Sequence, residues 1–331
     1  MVDMESPPRG FSHVPVLRDR ITELLAGALV TDPAGVVIDG TVGLGGHTEH
    51  LLQVFPDIRV VGIDRDQQAL ALATERLAAF GDRFVPFRSV FDDIPGALEA
   101  AGTDRAAAVL FDLGVSSLQL DSDERGFAYS RDTLLDMRMD LHSQVTAEDV
   151  VNDYSPEELA RVFQQYGEER FARRIARRIA DQRSAGRITT TTELADLCAA
   201  AVPAAARRKG HPAKRVFQAL RIEVNDELGA LRLGLERGIR ALRPHGRMAV
   251  LSYHSLEDRI VKQAFHSGAH PVVPPALPIV PVELQPFLQL VTRGAEKPTD
   301  SEISANPRAA SARLRVAAVT RPVPPRWEVA A

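Results

Sequence analysis

The chain has 331 residues, 45% hydrophobic and 25% charged, with a formal net charge of −4. That usage is globular and excludes a disordered, collagen-like or fibrous chain, and the length predicts about two domains. Its single cysteine, Cys198, excludes an internal disulfide and a cysteine zinc cluster; it sits in an apolar helical stretch and reads as a buried small residue. No apolar leader is visible in Met1–Gly10, so a reducing, cytoplasmic location is expected. No run of about 18 apolar residues exists, so no membrane partner is expected. The nine histidines show no metal-ligand spacing, and no metal is expected.

In chain order, Val36–Asp39 is a short apolar run ending in an acid. Gly40-Thr41-Val42-Gly43-Leu44-Gly45-Gly46 follows, then a helical stretch from His47 to Val54. Arg59–Asp64 is a second strand ending in an acid, and Asp66–Phe80 a helix rich in alanine and leucine. Phe84–Phe91 and Ala107–Asp112 are the third and fourth strands. Continuous apolar strands separated by helices predict a parallel sheet covered on both faces. From about Asp121 to Arg221 the character is helical. Ser155 caps a helix opened by Pro156, and Gly167–Arg183, Thr192–Val202 and Ala213–Leu242 follow. Strand character returns at Arg247–Ser252, after Pro244-His245-Gly246, and again at Phe287–Thr292 and Leu314–Val319. A proline-rich segment between Pro271 and Pro286 reads as an irregular surface loop. The division predicted is a discontinuous α/β domain, 13–122 with 220–320, interrupted by a helical insertion, 123–219. Residues 1–12 and 321–331 are read as tails.

Charge follows that division. Ser155–Ile222 carries 14 Lys+Arg against 7 Asp+Glu, a surplus of seven, which leaves −11 for the rest of the chain. A basic insertion on an acidic body predicts a polyanionic partner at one region.

The glycine loop lies between a strand and a helix, where backbone N–H groups and the positive end of the helix dipole face a ligand. Gly43 and Gly45 fit the dinucleotide pattern G-x-G-x-x-G, but its last position is Thr48. The acids discriminate better. Asp64 ends the second strand, where a carboxylate takes both ribose hydroxyls. Asp39 also introduces the glycine loop, the arrangement of the class I S-adenosylmethionine (AdoMet) fold. Phe91, at the third strand's end, offers a face to an adenine or else packs in the core. Asp112, ending the fourth strand, faces the ligand crevice or else acts as a turn aspartate.

The long motifs make the chain similar to the bacterial 16S ribosomal RNA cytosine N4-methyltransferases of the RsmH or MraW type. The resemblance runs from His13-Val14-Pro15-Val16-Leu17 to about Val319. It includes Asp39-Gly40-Thr41, Gly43 to His47, Gly62 to Asp66, Asp112 to Ser117 with Gln119, and Glu124-Arg125-Gly126-Phe127. It continues through Leu135 to Asp140, Tyr166 to Arg170, Phe217 to Ile222, Ser252 to Arg259, and Asn306-Pro307-Arg308. Ala309 and Ala310 depart from a more polar tail. The resemblance implies a Rossmann-like class I AdoMet-dependent methyltransferase sheet. It also implies that Gly45, Gly46, His47, Asp64, Phe91, Asp112 and Gln119 contact AdoMet. Its implied substrate is a decoding-region cytosine, and its implied partner the 16S rRNA of the small subunit. A homodimer is the other partner state considered.

Arg170, Arg173, Arg174, Arg177 and Arg178 fall on one helix face, with Phe171, Ile175 and Ile179 opposite. They read as a solvated charge face or as RNA phosphate contacts, and the local charge surplus favours RNA. Arg207-Arg208-Lys209 and Lys214-Arg215 extend that surface. Ser252 and His254, after the late strand, are read as substrate-side residues at the pocket rim. Cytosine N4 is a poor nucleophile, so an acceptor for its N–H is needed, and Asp112 is the candidate by position. A paired base must leave its stack to be reached. Two other classes are weighed: a nicotinamide-dependent dehydrogenase on a Rossmann fold, and a non-catalytic RNA-binding assembly factor.

Overall fold

The computed structural model describes residues 14–114, 125–207, 210–270, 280–281 and 284–330. Gln119 and most of the proline-rich segment lie outside them. The chain divides into two compact units, one running through Gly114 and resuming at Ala230, the other ending at Gly229.

The first unit is built on β1 (Val36–Asp39), β2 (Arg59–Asp64), β3 (Phe84–Arg88), β4 (Ala106–Asp112), β5 (Leu242–Ser252), β6 (Leu288–Leu290) and β7 (Arg313–Val319). They form one sheet in the order β3-β2-β1-β4-β5-β7-β6. β1 to β5 are mutually parallel, and β7 runs antiparallel between β5 and β6. The inner strands have no polar face: Val36–Asp39 is buried throughout, as is Ala106–Phe111. That is why they read as unbroken apolar runs. One face carries Val37, Val60, Leu110, Leu251 and Leu314 into a core with Leu25, Leu51 and Leu70. These come from α1 (Arg18–Leu29), α2 (Gly46–Val54) and α3 (Gln67–Arg76). α4 (Ile94–Ala100) joins β3 to β4.

The second unit is helical: α5 (Ala147–Asp153), α6 (Pro156–Gln165), α7 (Ala172–Arg183), α8 (Thr191–Ala201) and α9 (Ala213–Asn225). Thr146, Ser155 and Thr190 each close a reciprocal capping box, satisfying N–H groups that a helix start leaves open. Phe163, Ile175, Ile179, Leu194, Phe217 and Leu220 meet in its core. Cys198 is among them and wholly buried, and burial, assisted by nearby Glu169, pushes its thiol far above the ordinary range. The motif Leu135–Asp140 is a structural loop: the Asn225 amide donates to the Met137 carbonyl (2.8 Å) and its oxygen accepts the Met139 N–H (2.8 Å).

Five expectations are corrected. The run Ala213–Leu242 is two helices, α9 and α10 (Glu227–Ala241), because Asp226 turns left-handed at φ 46° and the Arg221–Glu227 ion pair (2.7 Å) spans the break. α9 packs into the helical core through Phe217 and Leu220, so that unit extends past the expected limit at 219. Residues 321–330 are held: Arg240 donates to the carbonyls of Pro324, Pro325 and Trp327, and the Trp327 ring meets Phe287 edge-on. The helix expected from Gly167 begins at Ala172, since Glu168 takes φ 48° and Gly167 is pressed against the Arg215 carbonyl. β5 extends back to Leu242 through an irregularity carrying His245 at φ 67°. Ala309 is fully buried after α11 (Ser255–Ala269) and α12 (Asp300–Ala305), which accounts for a small residue there. No described helix is long and apolar enough to cross a membrane.

Candidate active site

Ligands of open α/β sheets sit beyond the carboxyl ends of the strands where strand order reverses. Here that point is β1, flanked by β2 and β4, and each of the three ends in an aspartate. The loop after β1 bends through Gly43 (φ 51°) and Gly45 (φ 79°), a left-handed geometry that glycine adopts without penalty. Gly45 is the N-cap of α2, and a Cβ on Gly46 would lie 2.5 Å from Pro15.

Asp64 is fixed by that loop. Its Oδ2 accepts the Gly43 N–H (3.0 Å) and its Oδ1 the Asp66 N–H (2.8 Å). Burial nevertheless pushes its carboxyl up to about 6, because those donors offset only part of the desolvation.

Asp39, expected with Gly43 among the cofactor-binding residues, is enclosed beneath the loop. It is 1% exposed, its Oδ1 accepting the Thr41 N–H (3.2 Å) and its Oδ2 the Thr48 hydroxyl (2.6 Å). Its carboxylate organises the loop from beneath. Thr48, the residue that breaks the dinucleotide pattern, is the partner this buried acid requires. Replacing Thr48 by valine removes that donor at nearly constant volume. The expected loss is about 2 kcal/mol of unfolding free energy, with serine restoring most of it. Chemical denaturation measures this; a valine variant as stable as the parent contradicts it.

Asp112 receives its backbone fixation from Thr41, whose Oγ1 accepts the Asp112 N–H (2.6 Å). Its Oδ1 accepts the hydroxyl of Tyr253 (2.8 Å), and its Oδ2 stands 3.4 Å from His47 Nε2. His47 is buried, and that Nε2 has no hydrogen-bond partner. Gly114, at φ 105°, lies beside the Tyr253 ring. Burial, then the Asp112 charge, hold the Tyr253 phenol well above its ordinary range, so it remains a donor.

Phe91 lies in the turn after β3, which ends at Arg88. It is half-buried, edge-on to Phe111 at 5.1 Å, and against Gly40 and Gly234, where a side chain would intrude on these rings. Ser252 and His254 are engaged within the fold. Ser252 is 1% exposed and its hydroxyl donates to the Arg313 carbonyl (3.3 Å); His254 caps α11 in a capping box with Glu257. Between them Tyr253 is the side chain that reaches the crevice. The sequence places Ser252–Ser255 at the pocket rim without singling out Tyr253, because its partner is distant in the chain and β-register alone joins them. Asp112 pairs with Leu251, so Tyr253 emerges just beyond the strand end.

In the helical unit Arg173, Arg174, Arg177 and Arg178 are exposed along α7, while Ala172, Ile175, Ala176 and Ile179 are buried. Arg170 precedes the helix, its guanidinium 5.7 Å from the Phe171 ring centre.

Three carboxylates over adjacent parallel strands, a left-handed glycine loop and an antiparallel seventh strand define a class I AdoMet-dependent methyltransferase. The dehydrogenase alternative expects the all-parallel order of a doubly wound dinucleotide sheet, which β7 departs from. The chain belongs to the MraW methylase family, whose model matches residues 10–320. It is 55% identical over 311 residues to the ribosomal RNA small subunit methyltransferase H of Thermobifida fusca, covering 94% of each chain. It is 56% identical over 307 residues to the protein of the same name from a Nocardioides species, covering 92% of this chain and 96% of that one. A solved rRNA methylase from Streptococcus thermophilus superposes on 94% of this chain and 100% of its own, at 12% identity and a TM-score of 0.40. The fold class rests on the strand order and not on that likeness.

Proposed function

We propose that the chain transfers the AdoMet methyl group to the exocyclic N4 amine of one cytosine in the decoding region of 16S rRNA, acting in the cytoplasm on the small subunit. The observation that carries this reading is Asp112. It is a carboxylate at the end of β4, held by Thr41 and Tyr253, beside a buried histidine nitrogen that lacks a partner. The names of the relatives supply the substrate class.

The residues present suit AdoMet. Asp64 takes the ribose hydroxyls. Gly43, Gly45 and Gly46 let a ligand approach the backbone, and Phe91 offers an apolar face to the adenine. His47 and Asp112 meet the polar end, and Gln119 completes the set implied by the resemblance. Asp39 acts through the loop it organises. Bound AdoMet supplies a methyl group already activated by its sulfonium, so no covalent enzyme intermediate is required.

The chain's task is orientation and charge. Asp112 accepts an N–H from the cytosine amine and turns the nitrogen toward the methyl group. With AdoMet bound as the methyl source, the Asp112 carboxylate would receive the proton that the amine gives up on methylation. The basic helical unit holds the RNA through the arginines of α7. Label from AdoMet should appear in the RNA of unmodified small subunits. The absence of label from both subunits and bare 16S rRNA contradicts the reading and leaves the non-catalytic alternative.

A further inference from the structure

α6 and α7 leave a groove between their solvent faces, lined by Arg161, Gln164 and Gln165 from α6 and by Arg173 and Arg177 from α7. A second hollow continues past Gln164 and Arg173 to Arg170, Phe171 and Arg174. Among the described residues none of these five arginines has an ion-pair partner. The carboxylates lining the groove are Glu157, Glu168 and Glu169, and Glu158, held in its capping box with Ser155, acts on Arg161 from beside it. Glu169 is 6% exposed and accepts the Phe171 N–H (2.8 Å), so it is turned inward. Five guanidinium groups thus gather where the protein supplies little to neutralise them, and they repel one another until a polyanion covers them.

We propose that this groove seats a single-stranded segment of RNA, with phosphates on Arg161, Arg173 and Arg177 and a base stacked at Phe171 and Arg170. The proposal rests on the rRNA reading above and deepens it. It adds Arg161, Gln164, Gln165 and Phe171 to the arginines legible in the sequence. Arg178 is not part of the lining of either hollow.

Three features favour a single strand. The cations lie along both walls of a channel and not on one convex face. A half-buried aromatic ring with a guanidinium against it is a stacking platform, and only an unpaired base has a free face to offer it. The Gln164 and Gln165 amides each present a donor and an acceptor, which suits base edges better than the carboxylates of an acidic protein.

The test uses the full chain and a fluorescent single-stranded RNA with the decoding-region sequence, alongside the same sequence as a duplex. Arg161→Ala, Arg173→Ala and Arg177→Ala combined are expected to weaken binding at least about 30-fold. They should also lower the slope of log affinity against log salt by about 2, since each lost contact on a single strand removes about 0.7. Phe171→Leu keeps an apolar group in place, and is expected to weaken binding several-fold with the salt slope unchanged. AdoMet binding by calorimetry should match the parent in both variants, which shows that they are folded.

Unchanged RNA affinity in the triple variant, or equal binding of duplex and single strand by the parent, overturns the proposal. So does weakened binding to whole subunits with undiminished binding to the bare strand, which assigns the groove to a ribosomal protein. Label transfer by the parent chain separates the two claims. No transfer by the parent ends the rRNA reading, whereas transfer together with an unaffected triple variant ends the groove alone.

Discussion

Asp64→Ala is expected to weaken AdoMet binding by about 100- to 10,000-fold. A buried carboxylate accepting two ribose hydroxyls contributes roughly 1.5–3 kcal/mol per hydrogen bond, and each 1.4 kcal/mol is about tenfold in affinity. Calorimetry measures this directly, and unchanged affinity removes Asp64 from the ribose site. The same residue sets a pH dependence. Its carboxyl is raised to about 6 by burial, and the hydroxyls need the ionised form. AdoMet affinity should therefore hold above pH 6 and fall as pH drops below it. Stability of the ligand-free chain moves the other way. A carboxyl raised in the fold above its ordinary 3.8 favours the folded state most below that value, and this contribution is lost as pH rises through about 6. Affinity and this residue's share of stability thus change in opposite senses over one window. A thermal-shift series with and without AdoMet across that window reads both; parallel slopes contradict the assignment.

Asp112→Asn is expected to lower kcat by about 100- to 10,000-fold, the range for loss of a positioned proton acceptor. The amide retains the shape but has one acceptor oxygen, and its NH2 would face the His47 side or the incoming amine. AdoMet affinity should fall by a smaller factor. A variant with the parent's kcat contradicts the role given to Asp112. Tyr253→Phe keeps the ring and removes the hydroxyl. The Asp112 carboxylate then loses the hydroxyl that fixes its orientation, so kcat should fall by about 10-fold. The groups facing this pair are Asp39 and His47 around Asp112, and Glu257 and Glu302 around Tyr253. They stay in place in the phenylalanine variant. A kcat equal to the parent's shows that Tyr253 only fills space.

The parts of the molecule legible in the sequence are those in which one local rule acts alone. Val36–Asp39 and Arg59–Asp64 match the strands residue for residue, because burial on both faces demands apolar runs and the terminal acids stop them. Ser155-Pro156 begins α6 as its cap chemistry requires. Legibility fails where a tertiary contact decides. Nothing periodic marks Asp226, although an aspartate following Asn225 is one of the few residue types that take a left-handed turn readily. The advanced start expected for α7 reflects the same limit: Gly167 and Glu168 turn against the Arg215 carbonyl, from a helix far along the chain. Thr48 appeared as a defect in a glycine pattern, and its hydroxyl has meaning only once the burial of Asp39 is known. The positions of Asp39, Asp64 and Asp112 at strand ends followed from pattern. That Asp39 is enclosed beneath the loop while Asp64 and Asp112 are only partly buried followed from the structure alone.

The most direct test is to incubate the purified chain and AdoMet with small subunits that lack the modification, digest their 16S rRNA and map methylated nucleotides by mass. The account predicts one added methyl on the exocyclic amine of a single decoding-region cytosine, absent with the Asp112→Asn chain. A methyl on another base or on ribose, or transfer undiminished in that variant, would contradict it.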